Sequence, residues 1–227
     1  MTLPPRLYAV AAFVPPCDTL ADIGTDHAYI PIHLVQSRVA KRAIASDVSI
    51  GPTKIASMNI EQHALSHKIS VERGYGLEKA AGADVIVIAG MGGKLICDII
   101  EADLQTARAA KALVIQPMTA VEDVRRFLHE KDFTITKEAI AKEDEKLYNI
   151  IAAENGREII DDDIYYYVGK KLIEGRDSLL GQYILKRVNS LSIAIDNMEN
   201  SGIMQKKREE FITLKKRLLE VYNDNCS

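Results

Sequence analysis

Five short strand-like runs occupy the first half of this 227-residue chain, and four of them lead into sequence with helical periodicity. The runs are Thr19–Ile23, Arg42–Ser46, Ile69–Glu72, Asp84–Ala89 and Ala112–Ile115. The helix-like stretches are His27–Gln36, Pro52–Ala64, Lys94–Asp103 and Ala120–Lys131. Alternation of this kind leaves few folds open. Strands separated by helices must run parallel, and the helices then cover both faces of the sheet. DVIVIA, at Asp84–Ala89, is the most continuously apolar run, as expected of a strand buried on both faces near the sheet's centre. Ahead of these units, Leu7, Val10, Ala11 and Val14 fall at helical spacing, and Pro15-Pro16 ends that opening helix.

The rhythm changes after Lys131. Phe133–Lys142 and Lys146–Ala153 are two extended runs joined by Glu143-Asp144-Glu145, with no helix between them, so they must oppose each other in direction. A parallel sheet finished by an antiparallel hairpin is how Rossmann-like class I methyltransferases end, and nicotinamide dehydrogenases usually lack it. Beyond residue 155 strand patterning disappears. Ile184, Val188, Leu191, Ile195 and Met198 step by three and four residues, as a coiled-coil seam does. Asn200-Ser201-Gly202 reads as a turn, and Met204, Phe211, Leu214, Leu218 and Val221 continue the seam, weakened at Lys207. The expected fold is therefore α/β, with a methyltransferase-like domain at 1–155 and an antiparallel helical coiled-coil hairpin at 156–227. That hairpin serves either to pack against another copy or to meet phosphates through Lys206, Lys207, Arg208, Lys215, Lys216 and Arg217.

Bulk charge excludes little. The net charge is -3, so any surface for nucleic acid must be local rather than a general basicity. Three cysteines, Cys17, Cys97 and Cys226, share no paired spacing and read as reduced thiols of a cytoplasmic protein. His33, His63, His67 and His129 form no ligand cluster, and no metal is expected. The apolar N-terminal stretch is too short and too interrupted by proline to span a membrane.

In a doubly wound sheet the ligand lies beyond the carboxyl ends of the strands, where strand order reverses. The residues that follow each strand are the candidates. After the first comes ADIGTDHAYIP (Ala21–Pro31), in which Asp22 precedes the turn and Gly24 allows close backbone approach. Asp26 and Ala28 stand where a G-x-G-x-G pattern has its second and third glycines, and Asp26 is followed by His27, an orienting or capping histidine. Asp47, beside Val48, ends the second strand, where an acid accepts hydrogen bonds from both ribose hydroxyls of an adenosine cofactor. The competing reading is an aspartate capping the next helix at Ser49 or Gly51. Gly74-Tyr75-Gly76 follows the third strand, Ala89, Gly90, Met91, Gly92 and Gly93 the fourth, and Gln116-Pro117-Met118 the fifth. Neither a G-x-S-x-G elbow nor a P-loop is present.

ADIGTDHAYIP, VIAGMGG (Val87–Gly93) and LVIQP (Leu113–Pro117) together resemble the bacterial TrmK family of S-adenosylmethionine-dependent tRNA methyltransferases, which act on N1 of adenine 22. The resemblance spans the chain, since that family also joins a Rossmann-like domain to a C-terminal coiled-coil hairpin. It implies S-adenosyl-L-methionine as cofactor and tRNA as partner. It also implies that Gly24, Asp26 and His27 border the cofactor, that Asp47 takes its ribose, that Gly74–Gly76 flank its adenine, and that Ala89–Met91 lie beside the reacting methyl. Tyr75 departs from the Asn or Asp common in relatives, and Met118 from the Asn that usually follows QP. Methyltransferases of exocyclic amines carry [DNS]-P-P-[YF] after the fourth strand. AGMGG here points away from N6. Adenine N1 already has a lone pair, so the catalytic candidates are groups that position and stabilise: Asp26 as acceptor from the adenine amino group, and Tyr29 for stacking or edge contact. A small-molecule methyltransferase with a dimerising hairpin, and a non-catalytic RNA-binding relative, are the alternatives. Oligomeric state is open on sequence alone.

Overall fold

The computed structural model describes residues 2–199 and 205–226. In chain order the elements are α1 (Pro5–Phe13), β1 (Cys17–Ile23), α2 (Tyr29–Gln36), β2 (Ala40–Asp47), α3 (Ile50–Gln62), β3 (Ile69–Arg73), β4 (Val85–Gly92), α4 (Gly93–Ala102), α5 (Leu104–Ala109), β5 (Ala112–Thr119), α6 (Val121–Glu130), β6 (Phe133–Glu143), β7 (Lys146–Asn155), α7 (Ile164–Val168), α8 (Lys170–Glu174), α9 (Leu180–Glu199) and α10 (Gln205–Cys226). The contacts divide the chain into two units, Met1–Ile159 and Ile160–Ser227.

Alternate burial of β4 organises the first unit. Val85 and Val87 face one apolar cluster, with Val10, Ile32, Leu34 and Ile60 from the helices α1, α2 and α3. Ile86 and Ile88 face the other, with Ile96, Ile100, Val124 and Leu128 from α4 and α6. A strand apolar at every position is stable only where both its faces are covered, and β4 is central as expected. The sheet order is β3-β2-β1-β4-β5-β7-β6. β1 through β5 pair in parallel, and the hairpin returns so that β7 lies antiparallel between β5 and β6. The strand order reverses between β1 and β4.

One buried ion pair ties the hairpin to this core. Arg125 of α6 donates through Nε to Glu138 of β6 at 2.7 Å and through Nη2 to the Asn149 side-chain oxygen of β7 at 3.0 Å. The Arg125 and Glu138 side chains are only 1% and 2% exposed. Each charge is thus removed from water and depends on the other.

In the second unit, α9 and α10 lie antiparallel, since Gly181 at the start of α9 faces Tyr222 and Cys226 at the end of α10. The expected seam is present. Ile184, Val188, Leu191, Ile195 and Met198 are buried or half-buried on α9, and so are Phe211, Leu214, Leu218 and Val221 on α10. The expected turn at 200–202 and Met204 lie outside the described residues. Several of the basic side chains considered for phosphates are engaged locally: Arg217 pairs with Asp162, Lys216 lies 3.9 Å from Glu220 Oε1, and Lys207 lies 5.7 Å from the Phe211 ring centroid. No helix among the described residues is long and apolar enough to cross a membrane.

Replacing Arg125 with Met while Glu138 stays leaves a buried carboxylate without its guanidinium. Urea denaturation is expected to show a loss of about 3–5 kcal/mol. The double replacement Arg125→Met with Glu138→Met should recover most of that loss.

Candidate active site

The turn after β1 is held from one side only. Past Ile23, the last residue paired with both neighbours, the Gly24 and Thr25 N–H groups donate to the Ser46 carbonyl of β2 at 2.7 and 3.0 Å. On the other side β4 breaks register against β5 between Ala89 and Met91, with Gly90 at φ +80°. The chain therefore parts between β1 and β4 and leaves a cleft. A cavity of about 360 Å3 opens there, and the motif residues Asp22, Gly24, Asp26, His27, Tyr29, Ala89 and Gly90 all line it.

Gly24 is at φ +75°, and a methyl group added there would sit 1.9 Å from Met91 Cε. The Met91 side chain thus packs directly over the turn, which explains the glycine by both backbone conformation and space. The degenerate glycine pattern divides differently from its appearance in sequence. Asp26 is absent from the positive-φ residues, so its carboxylate imposes no such strain. Ala28 carries it, at φ 54° and ψ 28°. A left-handed alanine costs roughly 1–2 kcal/mol, offset in part because its methyl is buried.

α2 begins at Tyr29 rather than at His27, with Ala28 as its N-cap and no side-chain cap. The capping reading of His27 is therefore not what the local geometry shows. Instead the Asp26 Oδ2 lies 3.2 Å from His27 Nε2, and the His27 ring stacks on Tyr29 at 4.9 Å with 9° between the planes. Asn59 of α3 holds the same loop by donating to the His27 carbonyl at 3.0 Å. Asp26, His27 and Tyr29 form a continuous row along the cavity.

Asp22 is the most perturbed acid of the cleft. It is buried, and burial pushes its carboxyl up to about 7, opposed only in part by a hydrogen bond with the Thr25 side chain. At neutral pH it is poised between acid and carboxylate.

Asp47, Val48, Tyr75 and Gly76 do not line this cavity and stand at the ends of the next two strands; Met91, packed over Gly24, is not among the lining residues either. Asp47 Oδ1 accepts the Ser49 N–H at 2.7 Å, and the Asp47 carbonyl accepts from Gly74 N–H at 3.2 Å. Only one carboxylate oxygen serves the cap before α3. Val48 and Tyr75 are exposed apolar side chains at 41% and 70%.

Two residues given no role by sequence meet at the Gly90 edge of the cleft. Gln116, fully buried at the end of the β5 core, accepts through Oε1 from Gly90 N–H at 3.2 Å and from Arg6 Nη1 at 2.7 Å. Its Nε2 donates to the Pro117 carbonyl at 2.9 Å and approaches Met118 Sδ at 3.5 Å. Met118 thus takes a weak polar contact after all. Arg6 of α1 reaches the cavity from outside the βα units. Its only sequence signal was a lone charge in an apolar helix. Among the described residues no group of three or more metal-ligating side chains is assembled.

Comparison with known proteins agrees with this geometry. Residues 3–151 match the Methyltransferase domain family. The tRNA (adenine(22)-N(1))-methyltransferase of Bacillus subtilis is 36% identical over 193 residues, which is 84% of this chain and 78% of that protein. The crystal structure of B. subtilis TrmK, a tRNA m1A22 methyltransferase, superposes with a TM-score of 0.85 at 29% identity, covering 100% of this chain and 99% of the other. A Streptococcus pneumoniae protein crystallised with S-adenosyl-L-methionine gives 0.87 at 33% identity, covering 97% and 99%. With its switch-point cleft, its motif row and its antiparallel hairpin, the chain belongs to the TrmK family of methyltransferases.

Proposed function

We propose that this protein transfers a methyl group from S-adenosyl-L-methionine to N1 of an unpaired adenine, at position 22, in tRNA. The observation that carries the reading is the convergence of Asp22, Gly24, Asp26, His27, Tyr29, Ala89 and Gly90 on one cleft. The chain is also 36% identical to an enzyme named for that reaction.

The donor set suits the cofactor. The Asp47 oxygen not used by Ser49 is available to ribose hydroxyls, and exposed Val48 and Tyr75 offer apolar surface to an adenine ring. Buried Asp22 offers a carboxylate to an ammonium group, and Gly24 and Gly90 keep the backbone close. Bound there, the cofactor supplies a methyl on a sulfonium, an electrophile that leaves a neutral thioether behind.

The remaining work falls to the chain's own residues. Adenine N1 needs no deprotonation before it attacks, so no general base is required. The protein must hold N1 in line and accommodate the positive charge that reaches the base. Asp26, whose side chain is 68% exposed on the cleft rim, is the acceptor for the adenine amino group and the counter-charge. His27 fixes its direction, and the stacked His27–Tyr29 pair presents aromatic surface to the base. N1 lies on the Watson–Crick edge, so the base must be unpaired and turned out of its stack.

Mass spectrometry of nucleosides from an unmodified tRNA treated with the protein and cofactor is expected to show 1-methyladenosine, absent when position 22 is guanine. Binding of S-adenosylhomocysteine without any tRNA methylation, but with methylation of a small metabolite, would sink the tRNA reading. For Asp26→Ala we expect kcat to fall about a hundredfold with cofactor affinity nearly unchanged. Full methyl transfer at saturating cofactor would remove Asp26 from catalysis.

The raised Asp22 carboxyl makes the cofactor-free fold pH-dependent. Its folded value lies above its unfolded one, so its stabilising contribution is complete below the ordinary carboxylate range. That contribution is lost as pH rises through about 7. The span corresponds to a change on the order of 4 kcal/mol. Asp22→Asn, which stays neutral, should raise the melting temperature at pH 8 by several degrees and by less than half as much at pH 5. Equal shifts at both pH values would refute the linkage.

A further inference from the structure

We propose that a strip of rings on α1 and α2, Tyr8 and His33 with Tyr29 at its head, is a stacking surface for the unpaired nucleotides next to the target adenine. The proposal rests on the reading of the His27–Tyr29 pair as the place where the target base is met. It adds Tyr8 and His33, neither of which lines the cleft cavity.

The strip follows from the burial of α2. Ile30, Pro31, Ile32, Leu34 and Val35 are packed into the core, so Tyr29, His33 and Gln36 are the only residues of that helix to reach the surface. They stand four and three residues apart and therefore share one face. The outer face of a surface helix is ordinarily charged, but none of these three is an acid, a lysine or an arginine. Ring contacts run along it instead. The Tyr29 ring stacks on His27 at 4.9 Å, and His33 meets Tyr8 of α1 edge-to-face at 6.3 Å, with 69° between the planes. An edge-to-face pair occupies one ring face of the four. Tyr8 is also 60% exposed, although α1 is anchored in the core through Val10 and Ala11. Flat aromatic surface is thus left for a partner.

Position and chemistry name that partner. A nucleotide bonded to the target adenine cannot lie far from Tyr29, where the strip begins. Turning the target out of its stack leaves the neighbouring bases without a stacking partner, and rings placed beside the target restore one. From Tyr29 to Gln36 the helix rises about 10 Å, which is the span of roughly three bases at ~3.4 Å each. Unpaired RNA is recognised by ring faces in this way, because every base has a π-face to offer. Gln36 adds an amide that both donates and accepts at a base edge. Arg38, exposed just past the end of α2, brings a cation to the phosphate backbone. A protein partner is matched less well, since every aliphatic side chain of α2 is buried and no apolar patch remains there to cover.

The test pairs protein variants with an altered tRNA. Fluorescence anisotropy is read with an unmodified tRNA, and with the same tRNA made abasic on one side or the other of the target adenine. Tyr8→Ala combined with His33→Ala should weaken binding of the intact tRNA about tenfold or more. Calorimetric binding of S-adenosylhomocysteine should stay as in wild type, which also reports that the double variant is folded. KM for tRNA should rise while kcat at saturating tRNA is nearly unchanged. Tyr8→Phe, which keeps the ring and loses the hydroxyl, should bind like wild type. Removing a flanking base should weaken the wild-type protein by a similar factor and the double variant by about twofold or less, because ring and base act as a pair. Losses from the variant and from the abasic tRNA that simply multiply would overturn the proposal, as would intact tRNA binding by the double variant. So would a changed oligomeric state in light scattering with tRNA affinity unaltered, which assigns the strip to a second copy of the chain. A wild-type protein that neither binds nor methylates any tRNA would instead overturn the tRNA reading of the cleft.

Discussion

Parallel pairing of β1 with β2 on one side and β4 on the other is the constraint on which the site depends. From Leu20 to Ile23 the strand is held from both sides. Beyond Ile23 its two neighbours part. Gly24 and Thr25 follow β2 through the Ser46 carbonyl, while β4 breaks its register with β5 between Ala89 and Met91. Backbone groups that can no longer pair across this gap must face a cavity, and a ligand or water must satisfy them. The side chains of the motif row acquire their common direction from the same divergence. Met91 of β4 packs over Gly24 where the two strands separate.

Two arginines show how differently the fold uses one side chain. Arg125 is enclosed with Glu138 and Asn149, so its charge is consumed in joining α6 to the terminal hairpin. Arg6 is held by an amide and an aromatic ring, neither of which neutralises it. Burial acts on Asp22 in a matching way, raising its proton affinity against the smaller opposing effect of its hydrogen bond with Thr25. The cleft thus keeps charges that the rest of the core has paired off. Such unpaired groups destabilise the empty protein and strengthen the binding of a ligand of complementary charge.

Much of the fold was legible because it is written in short-range periodicity. DVIVIA announced a strand covered on both faces, and the seam from Ile184 to Met198 announced a helix packed against a partner. The misses share a cause. α5 is six residues long, with Ala107 its only buried side chain, and α7 and α8 are each one turn and a half, too short for a period to register. Asp22, Gly24, Asp26, His27, Tyr29, Ala89 and Gly90 converge on one cavity because chain topology places strand ends at one edge, whereas Asp47, Val48, Tyr75, Gly76 and Met91 are not among its lining residues. The identity of the strained position was not legible, since the left-handed backbone belongs to Ala28 and not to the conspicuous Asp26. Nor does sequence show that His27 stacks on Tyr29 while it orients Asp26.

Sequence by itself determined the alternation of the five parallel strands with their longer helices, the antiparallel finish of the sheet and the kinship of the three strand-end motifs. These depend on neighbours within a few residues, or on motifs read in order. Tertiary structure alone decided that Arg6 enters the cleft, that Gln116 joins it to Gly90, and that Asp22 is poised near neutrality. Arg6 and Gln116 are 110 positions apart, and nothing in either segment requires the other. Long-range contacts of this kind exist only once packing has set two elements side by side. The raised proton affinity that burial confers on Asp22 likewise follows from what surrounds it, not from the residues next to it in the chain.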